Sequence, residues 1–176
     1  MKKRHLAIIT LVALFVVGIM ASQAFADTMK TYTNKAKGFS IDFPSKWEVK
    51  EKVSDVDVIA LSPVEGKSDK FRENVNVIAL TVPTSVTLKV FYDENVKDMK
   101  KKLKKFTVVS ESNTKINGQD ARKLVYTHNM YNHTMKAAAY VMLKGGKACF
   151  ITCTAAPETY SKWEAEFDKI AKTTKF

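Results

Sequence analysis

The chain has 176 residues, with 29 Lys+Arg against 18 Asp+Glu and a formal net charge of +11. That length suits one domain able to bury about two-thirds of its unfolded surface without covalent staples. The basic excess favours anionic partners, and the absence of any nucleic-acid recognition motif removes nucleic acid from them.

Residues 1–26 read as an export signal. Lys2, Lys3 and Arg4 form a basic start, Leu6 to Ala21 is an apolar run, and Ala24-Phe25-Ala26 gives the small-x-small pattern of a cleavage site. The mature N-terminus is placed at Asp27. The apolar run is short for a membrane span, which needs about 20 residues, and no cysteine at the cleavage point can accept a lipid. An exported protein of the periplasm or cell exterior is expected, not membrane-spanning once the signal is removed. The signal carries three of the basic residues and none of the acidic ones, which leaves 26 basic against 18 acidic residues, so the remainder stays basic.

Residues 27–37 are polar and lysine-rich, and read as a flexible tether before a single domain over 38–176. Phe39, Ile41 and Phe43 alternate with Ser40 and Asp42, a half-buried strand that Pro44 stops, and Trp47 anchors the turn and short strand after it. Residues 56–61 and 75–82 read as further strands, with a mobile loop over 63–73 between them. Leu88, Tyr92, Val96, Met99 and Leu103 recur at helical spacing and predict an amphipathic helix.

Asn117-Gly118 and Gly145-Gly146 are hairpin turns of type I′, which need positive φ at both central residues. They predict hairpins over 107–128 and 134–154, joined through residues 129–132 into a four-strand antiparallel meander. In the third strand Ala137, Ala139, Val141 and Leu143 alternate with Ala138, Tyr140 and Met142. Both of the last two strands are thus apolar on both faces, and a sheet covered on both sides follows. Pro157 opens a final helix striped by Tyr160, Trp163, Phe167 and Ile170. The fold class is α+β. Cys149 and Cys153, four residues apart on one strand face, would sit about 13 Å apart, too far for a disulfide, so both are expected as buried free thiols.

The stretch from Gly38 to Trp47 resembles the opening of PsbP-like domains, a glycine and aromatic strand followed by proline and tryptophan. The stretches Asn74 to Val77, Ile116 to Ala121 with Leu124 to Tyr126, Lys144 to Lys147, and the Tyr160 to Ile170 stripe continue the likeness in order. The resemblance implies an α-β-α sandwich around a central antiparallel sheet, the fold of the extrinsic PsbP subunit of photosystem II and of DcrB-like envelope proteins. It also implies a binding role rather than catalysis, without specifying a partner.

His128 and His133 flank the connection 129–132. If it closes a hairpin they become cross-strand neighbours about 5 Å apart, able to grip a zinc or manganese ion weakly with Asn129, Asn132 or water. Lys97, Lys100, Lys101, Lys104 and Lys105 are placed on one stripe of the first helix, a ridge for an anionic surface. Asp93 to Lys97 and Asp98 to Lys102 pairs would steady that face. Asp55 and Asp57 share a strand face as solvated edge acids, and Asn132-His133-Thr134 is a glycosylation sequon. GxSxG, HExxH, P-loop and GxGxxG patterns are absent, so no catalytic residue is assigned and no cofactor beyond the weak divalent metal. The expectation is a non-enzymatic accessory protein binding an unknown protein or anionic envelope component. The alternative is a metal-dependent or thiol enzyme in the same compartment, a cysteine pairing with His128.

Overall fold

The computed structural model describes residues 28–67, 69 and 71–176. The export signal expected over 1–26 lies outside the described residues. The expected tether is a strand: β1 (Met29–Asn34) pairs antiparallel with β2 (Phe39–Pro44). The reason is aromatic packing, because the Tyr32 ring lies 6.0 Å from Phe39 and 6.5 Å from Phe43. Gly38, at φ +70°, closes the turn by donating its N–H to the Asn34 carbonyl at 2.8 Å. Strand β2 is tied to the C-terminus as well, since Ser40 and Lys175 exchange backbone hydrogen bonds at 3.0 and 2.9 Å.

Seven strands form the main sheet. They are β3 (Glu48–Glu51), β4 (Val58–Leu61), β5 (Asn74–Thr81), β6 (Lys104–Ile116), β7 (Gln119–Met130), β8 (His133–Lys144) and β9 (Lys147–Ala155). Their spatial order is β3-β4-β5-β9-β8-β7-β6, every neighbouring pair antiparallel, so β6 to β9 form the expected meander. Asn117 and Gly118 have φ of 47° and 80°, and Gly145 and Gly146 55° and 77°, as the two predicted turns require. Strand β6 lies on an edge, where unpaired N–H and C=O groups invite foreign strands. Two bulges, between Lys104 and Thr107 and between Val108 and Ser110, interrupt its register and make it a poor template.

The two helices pack against different residues of β8. Helix α1 (Leu88–Lys102) starts at Thr87, whose hydroxyl accepts the Val90 N–H, and buries Tyr92 and Val96 against Leu124, Tyr126, Ala137, Ala139 and Val141. Helix α2 (Tyr160–Lys172) buries Tyr160, Phe167, Ile170 and Ala171 in a second cluster with Ala138, Tyr140, Met142, Ile151, Phe39, Ile41 and Phe43. Because successive side chains of a strand point to opposite faces, each helix meets its own face of β8. The expected apolarity of both faces does not extend across β9. Thr152 and Thr154 share the face of Phe150 and pair with Asn76 and Asn74 of β5, which makes a polar ladder there.

The described residues of 63–73 form no helix or strand, yet Arg72 and Glu73 are anchored rather than loose. Arg72 donates to the Ser62 carbonyl at 2.5 Å and to Glu48 at 2.6 Å. Glu73 is buried, accepting from the Ser62 and Thr159 hydroxyls at 3.1 and 2.9 Å. Asp55 and Asp57 precede β4 and form no carboxylate pair on it. Asp57 instead accepts the Ala79 N–H at 2.7 Å.

Candidate functional site

The functional candidate is the turn between β7 and β8. A four-residue connection over 129–132 was expected, but the strands run on to Met130 and from His133, leaving Tyr131-Asn132 as a two-residue turn. Both residues have positive φ, 48° and 67°. This is the backbone of a type I′ turn made without glycine. Asparagine tolerates the left-handed region through local hydrogen bonding, whereas a tyrosine there costs about 1–2 kcal/mol. The Thr134 hydroxyl donates to the Asn129 side-chain oxygen at 3.2 Å and steadies the turn. The Tyr131 ring gains nothing from the core in return, being 90% exposed.

Two clefts meet at Tyr131. One, of about 620 Å³, is lined by Lys102, Leu103, Lys104, Lys105, Asn129, Tyr131 and Asn132. The other, of about 640 Å³, is lined by Phe71, Met130, Met135, Ala156 and Glu158, together with the turn and His133 and Thr134. The first is basic. The second is mostly apolar, with a single carboxylate at its border.

The lysine ridge is divided by the structure. Helix α1 ends at Lys102 with Leu103 as its C-cap, so Lys104 and Lys105 leave the helix and open β6. Their displacement follows from the bulge after Lys104 and the left-handed Lys105, at φ 53°. Lys104 pairs with Asn129, which carries both lysines to the β7–β8 turn. Lys97, Lys100 and Lys101 stay exposed on α1, and Lys97 contacts Glu94 at 3.4 Å rather than Asp93. The expected Asp98 to Lys102 pair is present at 3.7 Å.

The two histidines are not directly opposite one another, as a four-residue connection would have made them. His128 pairs with Met135 and His133 with Met130, so the imidazoles are diagonal across the ladder. His128 is buried and packs against Tyr126 with the rings tilted, 5.6 Å between centroids, while His133 is exposed. Burial holds the His128 pKa below the usual histidine range, with the Asn129 backbone acting weakly the other way. Among the described residues, no group of three or more His, Cys, Asp or Glu side chains is arranged to hold a metal ion.

Cys149 and Cys153 are free and buried. Desolvation pushes the Cys149 thiol up to about 12 and raises Cys153 as well. Both belong to the α2-side cluster, whereas His128 packs against Tyr126 of the α1-side cluster, so sheet backbone separates the thiols from that imidazole.

The PsbP-like protein family model matches residues 19–176. The chain belongs to the PsbP-like family. Solved structures similar to this PsbP-like chain agree on the fold. Cyanobacterial PsbP from Synechocystis shares 17% identity at a TM-score of 0.64, covering 87% of this chain and 95% of that one. LpqN of Mycobacterium tuberculosis, described as involved in cell envelope biogenesis, shares 12% at 0.60, covering 85% and 86%. The Saccharomyces cerevisiae Ran-binding protein Mog1p shares 9% at 0.59, covering 85% and 96%. At these identities the likeness shows the fold alone. Comparison with curated protein sequences gives no match. No helix among the described residues is long and apolar enough to cross a membrane.

Proposed function

We propose that this PsbP-like chain is an exported, non-enzymatic accessory protein of the cell envelope, its domain an α-β-α sandwich, and that it binds its partner through the β7–β8 turn. The observation that carries the reading is Tyr131: a large ring held exposed, on a backbone conformation unfavourable to it, between a basic and an apolar cleft. Backbone strain that the fold does not need concentrates at sites of function. Exposed tyrosine is also a frequent anchor of protein interfaces. Export is supported by the basic, apolar and small-residue pattern of 1–26, and an envelope setting by the likeness to LpqN. A binding role is supported by the likeness to Mog1p, a Ran-binding protein.

The test is photocrosslinking in the native envelope, with the photoreactive side chain placed in turn at Tyr131, Lys104 and the exposed Val109 of β6. Adducts of one discrete mass from positions 131 and 104, and none from 109, are expected. Equal labelling from all three positions, or none from 131, contradicts the reading.

A further inference from the structure

We propose that the β7–β8 turn receives an extended, acidic segment of a partner protein, with carboxylates on Lys104 and Lys105 and a neighbouring apolar side chain between Phe71 and Met135. The inference rests on the binding role assigned to the turn and names the chemistry of its occupant. Charge complementarity supplies the first argument. Lys102 is already engaged with Asp98 at 3.7 Å, while Lys104 and Lys105 are exposed and carry no ion pair among the described residues. Two cations beside a cleft of about 620 Å³ attract carboxylates.

Shape supplies the second. The projecting Tyr131 ring borders both clefts. An extended chain crossing that ring can reach both, an acid in one cleft and an apolar group in the other, from side chains two residues apart, which share one face of the chain. Met130 and Met135 suit an apolar guest of no fixed shape, since unbranched thioethers adapt to it. A flat anionic membrane would leave the concavities empty and would face Glu158 at the border of the apolar cleft. A peptide fits better than a lipid surface.

The test measures binding of the full chain to a short Glu-Ser-Leu-Ser repeat peptide, whose glutamates and leucines share one face when extended, against the same peptide with lysine for glutamate and against phosphatidylglycerol vesicles. The glutamate peptide is expected to bind, with affinity falling as salt rises. Lys104→Glu and Tyr131→Gly should each weaken it by roughly tenfold or more, and Lys100→Glu on α1 should not. Tyr131→Gly suits the positive φ, so a loss there reports the ring and not unfolding. Lack of binding to the glutamate peptide, equal affinity for the lysine peptide, or indifference to both turn substitutions overturns the proposal. Binding to vesicles alone overturns it in favour of a membrane surface. Specific crosslinking from position 131 without peptide affinity would sink this inference and leave the binding role standing.

Discussion

The His128 imidazole lies against the Tyr126 ring, 5.6 Å between centroids, and faces Met135 across the β7–β8 ladder. Burial there favours the neutral ring, so the folded pKa is lower than the unfolded value of about 6.5. Below that value the unfolded chain takes up a proton that the folded chain resists. Stability therefore falls as pH drops from about 6.5 to the folded pKa, and it is restored on raising pH. His128→Phe keeps an aromatic ring on Tyr126 and removes the proton site. Thermal unfolding between pH 7 and 5 (roughly the span in which histidine titrates) should show a shallower decline in this variant than in the parent.

Tyr131 trades stability for an exposed ring. Tyr131→Gly relieves the left-handed strain at φ 48° and gives up only surface side chain, so it should raise stability by up to about 1 kcal/mol. Chemical denaturation of the two proteins measures this directly. Paired with loss of partner binding, the gain would mark a position kept for function at the expense of stability.

Helix α2 is fastened to the sheet by a charged cluster. Lys123 Nζ lies 2.7 Å from Asp168 and 3.5 Å from Glu164, and the Tyr140 hydroxyl also donates to Asp168. Burial alone would raise the Asp168 pKa, but the hydrogen bonds from Lys123 and Tyr140 outweigh it and hold the carboxyl below its usual range. The stability so gained is present above the unfolded carboxyl value of about 3.9 and is lost as pH falls through the lower folded value. Lys123→Met keeps the apolar stem and removes the charge. It should cost about 2 kcal/mol at neutral pH and flatten the acid limb of a stability profile.

Cys149 and Cys153 should resist alkylation in the folded protein. Neither is exposed, and forming a thiolate there is opposed mainly by desolvation, which raises both thiols. Labelling with iodoacetamide at pH 8, about the pKa range of a free thiol, should proceed only at the rate of global unfolding. Labelling that is fast in native buffer and unchanged by stabilising conditions would contradict the placement of these residues.

Much of the fold was legible in the sequence because its signals are local. The alternation along β8 sorted its residues onto the two faces that the helices cover, and the glycine turns at 118 and 145–146 located two hairpins. The β1 strand escaped because its apolar content is one tyrosine and one methionine, and the partner that orders it is the aromatic face of β2. The site was harder to read. A type I′ turn without glycine leaves no composition signal, so the connection was read two residues too long, taking in Asn129 and Met130 of β7, and the two histidines were paired directly. The alternation of Leu124, Tyr126 and His128 continues to Met130, and that was the available clue. Lys104 and Lys105 continue the helical spacing of lysines. Only the end of α1 at Lys102, set by tertiary packing of Leu103 and the bulge after Lys104, separates them from it.

The location of the binding surface is most directly tested by amide hydrogen exchange of the protein alone and with its crosslinked partner bound. Slowed exchange confined to residues 102–106, 129–135 and the neighbourhood of Phe71 is the predicted result. Protection on the β1–β2 hairpin or along α2, with the β7–β8 turn exchanging as fast as in the free protein, would contradict the account.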